Sequence, residues 1–260
     1  MNILKEIAAH ATERVAMRRK LKPLTTLRQE ALAVPRGDFP FTRALQKKEL
    51  AFICECKKAS PSKGLIAPDF PYVKIAQEYE AAVADAISVL TEPKYFLGDE
   101  RYLAEIAAAV SLPCLRKDFI VDEYMIYEAK VLGAAAILLI VAILTKEELK
   151  AYLELADSLG LSVLTEAHSE DEIAAALEAG ANIIGVNNRN LKDFSVDVEN
   201  SKRLRASVPP DKLFVMESGI ATPEDVAAAR AMKADGVLIG ETLMRADDKR
   251  ARLRYLKEGA

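Results

Sequence analysis

Histidine is nearly missing from these 260 residues. Only His10 and His168 occur, far apart and without ligand spacing, which argues against a metal centre. Cysteine is scarce too. Cys54, Cys56 and Cys114 are odd in number and form no Cys-x-x-Cys pair, so they read as buried thiols of a reducing cytoplasm. No long hydrophobic run is present: Val131 to Leu144 is broken by Gly133 and falls short of the roughly 18 residues a membrane span needs. The segment Met1 to Arg14 mixes Lys, Glu and His with apolar residues and lacks a signal-peptide core. Neither sign of charge dominates, with 36 Lys and Arg against 39 Asp and Glu. The one basic cluster, Arg18-Arg19-Lys20, reads as a solvated helix end, so neither nucleic acid nor a membrane is an expected partner. There is no Gly-x-Ser-x-Gly elbow, and Cys56 has no neighbouring histidine, so a nucleophilic hydrolase is disfavoured.

What is present is alternation. Short runs rich in Val, Ile and Leu recur at Ala51–Cys54, Ala86–Leu90, Leu112–Leu115, Ala136–Val141, Ser162–Leu164, Asn182–Val186, Leu213–Met216 and Gly236–Ile239. They are apolar throughout, as strands buried on both faces are. An amphipathic segment follows each, with start signals at Thr145-x-x-Glu148, Ser169-x-x-Glu172 and Thr222-Pro223. Gly133, Gly160 and Gly180 fall where a left-handed helix cap is wanted. Eight such repeats without a Gly-rich dinucleotide loop favour closure into a (β/α)8 barrel, α/β in class, over an open doubly wound sheet. Residues 51–260 are read as barrel and 1–50 as a helical extension of the same single domain. Within the extension, Leu4, Ile7, Ala8, Ala11 and Val15 predict a helix from Asn2 to Arg19, and a second helix is expected around Phe41–Lys48. This extension could plug the barrel bottom or cover its top.

In such a barrel the active site lies at the carboxyl ends of the strands. The first strand ends in Glu55-Cys56-Lys57, and alternation sends both charges to the axis if the cysteines face the helices. A buried ion pair that merely fastens the barrel would look the same. The other strands end in Arg116-Lys117-Asp118, Glu166, Asn187-Asn188-Arg189, Glu217-Ser218-Gly219 and Gly240-Glu241. Acids and bases brought together at one rim suit proton-transfer chemistry. Ser218, Gly219 and Gly240 sit where barrels bind phosphate through backbone N–H groups. Neighbouring cations and partial burial would lower a lysine pKa toward the working range. His168 reads as a loop or cap residue, and Lys58 to Pro68 as a mobile flap.

The run Glu55-Cys-Lys57-Lys-Ala-Ser60-Pro61-Ser62-Lys63-Gly64 closely resembles the first-strand signature of indole-3-glycerol phosphate synthases. The resemblance continues through Leu90-Thr-Glu-Pro-Lys-Tyr-Phe96, Leu115-Arg-Lys117-Asp-Phe119, Leu138-Leu-Ile140, Ile184-Gly-Val-Asn187-Asn-Arg189-Asn-Leu191, Glu217-Ser218-Gly219-Ile220 and Leu238-Ile-Gly240. It implies indole-ring closure of 1-(2-carboxyphenylamino)-1-deoxyribulose 5-phosphate, with loss of carbon dioxide and water and without a cofactor. By this resemblance Lys117 is the general acid, and Lys57 holds the substrate carboxylate and takes part in the later dehydration. Glu166 is the base in losing water, and Glu55 positions Lys57 or shares proton transfer. Asn187 and Arg189 orient the sugar hydroxyls, with Ser60 and Glu217 in the substrate-binding set. Ser218, Gly219, Gly240 and the backbone of Glu241 bind phosphate, while Pro61, Phe96, Phe119, Leu138 and Leu191 enclose the ring. A monomer is implied, able to associate weakly with other enzymes of the tryptophan pathway.

Some positions depart from the family pattern. Ala82-Val83 and Ala134-Ala135-Ala136 precede strands two and four where glycine and aspartate are usual. Cys54 replaces a common alanine, and Glu241 a serine of some members. The sequence ends soon after an eighth helix, so no fused partner enzyme is expected. Two other readings stay open: a Schiff-base aldolase using Lys117 as nucleophile, and a phosphate-binding barrel scaffold without turnover.

Overall fold

The computed structural model describes residues 3–190 and 194–258. Eight parallel strands close into a barrel: β1 (Ala51–Cys56), β2 (Ala86–Leu90), β3 (Cys114–Lys117), β4 (Ala136–Ile140), β5 (Ser162–Ala167), β6 (Ile183–Asn187), β7 (Leu213–Glu217) and β8 (Gly236–Ile239). Each pairs with its successor, and β8 returns to β1 with Ala51 beside Gly236 and Cys54 beside Ile239. Helices α4 (Tyr72–Ala81), α5 (Glu100–Ala109), α6 (Glu123–Val131), α7 (Lys146–Leu159), α8 (Glu170–Glu178), α9 (Glu199–Leu204) and α10 (Pro223–Ala231) supply the crossovers. Two more, α11 (Glu241–Met244) and α12 (Lys249–Glu258), follow β8.

Strand alternation divides the core in two. Ile53, Leu115, Leu138, Leu164 and Val215 fill the barrel interior, while Cys54, Cys56, Val89, Leu139 and Val186 pack outward against the helices. Burial pushes the Cys114 thiol up to about 12 and raises those of Cys54 and Cys56 as well, so all three are inert.

Several strands run past the expected ends. β1 includes Glu55 and Cys56, β5 extends to Ala167, and β3 is displaced to Cys114–Lys117 because Pro113 has no N–H for the ladder. Polar side chains at strand ends hide the strand from a hydrophobicity reading. β4 errs the other way: Val141 begins a 3₁₀ turn, Val141–Ile143. The expected flap contains a small hairpin, with Ala59–Ser60 antiparallel to Gly64–Leu65.

The extension holds three helices, not two: α1 (Ile3–Leu21), α2 (Leu24–Ala33) and α3 (Pro40–Leu45). The missed α2 buries Leu27 and Ala31, four residues apart on one face. The extension caps both ends of the barrel. Phe41 and Leu45 of α3 join the interior beneath Ala51 and Ile183, and Leu45 lies over Gly236, where a Cβ would collide with it. Helix α1 crosses the opposite mouth. It is tied down by buried Arg14, which donates to both Asp118 oxygens at 2.7 and 3.3 Å, and by Arg18 on Glu128 at 2.8 Å.

The helix starts follow the local code. Thr145 with Glu148 and Thr222 with Asp225 form complete capping boxes. At α8 only half forms: Ser169 Oγ accepts from Glu172 N, but the Glu172 carboxylate turns back to accept from His168 N at 2.7 Å. The expected loss of aspartate before strand two is corrected by Asp85, which immediately precedes β2 and accepts from Phe52 N at 2.9 Å. Asp235 before β8 does the same for Phe214 N at 2.7 Å, whereas Ala135 before β4 offers no carboxylate.

Candidate active site

Glu55 and Lys57 emerge side by side from β1, with Nζ 2.6 Å from Glu55 Oε2. Glu55 is buried, and burial alone would raise its pKa. Lys57 and then Lys117 reverse that and hold the carboxyl below its usual range. Gly240 makes the pair possible: a Cβ there would overlap the Glu55 carboxylate and come within 2.8 Å of Lys57 Nζ. Its φ of −116° is not a left-handed turn, so the glycine is there for space.

Across the mouth, Lys117 projects from the end of β3 between two acids. Its Nζ donates to Glu217 Oε2 at 3.0 Å and lies 3.6 Å from Glu166 Oε2. Arg116 leaves the rim by alternation, and the Asp118 side chain turns from the cleft's centre toward Arg14 and Thr91. Arg116 is fully buried against the helices, reaching Met125 O at 3.0 Å and Glu100 at 2.9 Å. The expected lowering of a lysine pKa is overturned here. Burial does oppose the Lys117 charge, but Glu217, Glu166 and Glu55 outweigh it and raise the pKa, because the near neighbours are carboxylates. Glu217 moves up to about 7, driven by burial and by the Glu166 charge against the pull of Lys117. Its Oε1 has no hydrogen-bond partner, and Gly185 leaves room for it, since a Cβ would overlap that atom.

Asn187 ends β6 with Oδ1 accepting from Ser218 Oγ at 2.9 Å and Arg189 N at 3.0 Å. Asn188 faces away: its Oδ1 takes Ser201 Oγ and its amide donates to Ser218 O, which fastens the loop. Ser218 and Gly219 have φ of 64° and 87°, a left-handed pair that turns the backbone beside Gly240 and Glu241. The Glu241 side chain is held by Arg245 at 3.0 Å, Lys63 at 3.6 Å and Arg189 at 3.8 Å.

These groups line one cleft of about 990 Å³, which also takes in Ser60, Pro61, Phe96, Phe119 and Leu138. Phe96 and Phe119 stand 6.1 Å apart between ring centres and 37° from parallel, an apolar wall facing the charges. Leu191, expected in that wall, lies outside the described residues. Ile3, Leu4 and Ile7 of α1 complete the lining. Helical spacing revealed that α1 had an apolar face, but nothing local said that this face lies over the mouth. His168, expected as a loop or cap residue, has its ring beside Glu166, with Nε2 3.4 Å from Oε1. Among the described residues, no group of three or more His, Cys, Asp or Glu could hold a metal ion.

The model of one protein family, indole-3-glycerol phosphate synthase, matches residues 4–256. The chain belongs to that family. It is 53% identical over 259 residues to the indole-3-glycerol phosphate synthase of Ruminiclostridium cellulolyticum, spanning 99% of this chain and 100% of that one. It is also 53% identical over 257 residues to the synthase of Endomicrobium trichonymphae, spanning 98% and 100%. Among solved structures, tryptophan synthase subunit alpha from Legionella pneumophila is 13% identical, with a TM-score of 0.62 over 84% of this chain and 97% of that one. The 3-hexulose-6-phosphate synthase from Salmonella typhimurium, also 13% identical, reaches 0.67 over 80% and 97%. Both share the fold alone. The enzyme is a carboxy-lyase of tryptophan biosynthesis. It closes 1-(2-carboxyphenylamino)-1-deoxyribulose 5-phosphate to indole-3-glycerol phosphate with loss of carbon dioxide and water.

Proposed function

We propose that Lys117 is the proton donor in the ring closure, and that its place between Glu217 and Glu166 carries the reading. Carboxylates keep it an ammonium, the form an acid needs and an amine nucleophile does not. As the aromatic carbon attacks the ketone, Lys117 protonates the developing alkoxide. Glu217, raised to about 7 and in contact with Nζ, is placed to return that proton. Lys57 holds the substrate carboxylate, steadied by Glu55, and serves again in the dehydration. Glu166 takes the proton lost with water.

The ring lies against Pro61, Phe96, Phe119 and Leu138, while Asn187, Arg189 and Ser60 hold the sugar. The phosphate rests on backbone N–H groups of Ser218, Gly219, Gly240 and Glu241. The chain acts as one domain and as a monomer in the cytoplasm; α1 lining the cleft and three inert thiols support this reading. Among the described residues no helix is long and apolar enough to cross a membrane.

Borohydride added during turnover separates this from an aldolase. Indole product with an unmodified Lys117 is expected by mass spectrometry. A reduced adduct on Lys117 would overturn the acid role.

A further inference from the structure

We propose that His168 is a positioning residue for Glu166, holding one carboxylate oxygen so that the other faces the substrate. The inference rests on reading Glu166 as the base. Each ring nitrogen of His168 faces a carboxylate: Nδ1 lies 3.4 Å from Glu172 Oε2, and Nε2 lies 3.4 Å from Glu166 Oε1. Nε2 is buried with no hydrogen-bond partner in the resting enzyme. A buried imidazole nitrogen left unpaired is costly, and the Glu166 oxygen is near it at 3.4 Å, though not aligned for a hydrogen bond in the resting enzyme. Catalytic hydrogen bonds of unliganded enzymes are often long and tighten when substrate binds.

The two oxygens of Glu166 thereby have different surroundings. Oε1 faces the imidazole, and Oε2 lies 3.6 Å from Lys117 Nζ. A carboxylate anchored at one oxygen loses rotational freedom and presents the other in a fixed direction. Helix capping does not account for the ring. The start of α8 is served by Ser169 Oγ, which accepts from Glu172 N, while the Glu172 carboxylate accepts from the His168 backbone N–H, which any residue would provide. The Glu172 carboxylate, diverted from the Ser169 N–H that a capping box would use, braces the imidazole from behind. Glu172, His168 and Glu166 form a relay of support running from the helix to the reacting centre.

The test compares two replacements of similar length, one keeping a donor and one lacking it. His168→Met should lower kcat about 10- to 100-fold and move KM less than about twofold. His168→Gln, whose amide can still donate to Glu166, should recover kcat to within about threefold of wild type. In a Glu166→Gln background, His168→Met should cost less than about twofold, because the group it serves is already disabled. Melting midpoints confirm that each variant folds, with His168→Ala replacing Met if it does not. An unchanged kcat in His168→Met, equal losses in Met and Gln, or full repetition of the loss in the Glu166→Gln background each overturns the proposal. Wild-type kcat in Glu166→Gln removes the base reading and this proposal together. A disabled Glu166→Gln beside an unaffected His168→Met removes this proposal alone.

Discussion

Burial on its own would lower the pKa of the Lys117 ammonium, and Glu217, Glu166 and Glu55 more than offset it. The same cluster leaves Glu217 as the acid that holds a proton near neutrality, at about 7. A carboxyl raised on folding binds more protons folded than unfolded between the ordinary carboxylate range and pH 7. Its contribution to stability is therefore greatest below that range and is lost as pH rises to about 7. Urea unfolding at pH 5 and pH 8 checks this. Relative to Glu217→Gln, the wild type should be more stable at pH 5 than at pH 8, and a pH-independent difference would contradict it. Period-two alternation made Glu55 and Lys57 legible as inward-facing charges, and Lys117 was legible only as part of a charged strand end at the rim. The direction of the Lys117 shift was not legible, because Glu217 is 100 residues away and meets it only across the closed barrel.

Between helix and strand one turn recurs five times. Gly133, Gly160, Gly180, Val83 and Lys233 all have positive φ, with the next residue's N–H donating five residues back, as Ala134 does to Ala129 O, Leu161 to Ala156 O and Ala84 to Tyr79 O. Val83 is the β-branched member, with φ of 61°, and its side chain is largely exposed, so little packing offsets the strain. Val83→Gly should stabilise the protein by about 0.5–1 kcal/mol, after allowing for the greater freedom of glycine unfolded. Chemical denaturation measures it, and a loss of stability would show that the side chain contributes more than the turn costs. The pair Ala82-Val83 was already conspicuous as a departure from the family pattern of glycine and aspartate before strand two, though which residue adopts the left-handed turn required the structure. Helix α2 and the ends of β1, β3 and β5 were less legible. A short apolar stripe after Pro23 and charged residues inside strands both blunt the periodic signal.

Closure of the barrel turns these local elements into an enzyme. Alternation and caps declared eight βα units, and the rim residues followed from the rule that barrels react at strand carboxyl ends. The placement of α1 over the cleft and α3 beneath it was not declared. Both depend on long-range packing, such as the Arg14–Asp118 pair and Leu45 over Gly236. The outcome is a cleft with an aromatic wall on one side and a lysine flanked by acids on the other, matched to an aromatic, anionic substrate that must gain a proton at its ketone. Steady-state indole fluorescence from the carboxyphenylamino-deoxyribulose phosphate, with wild type and Lys117→Ala side by side, tests that most directly. The wild type should form product, and Lys117→Ala should lose about 10²–10⁴-fold in kcat with KM changed only a few-fold. No product from the wild type, or a Lys117→Ala defect confined to KM, would contradict the account.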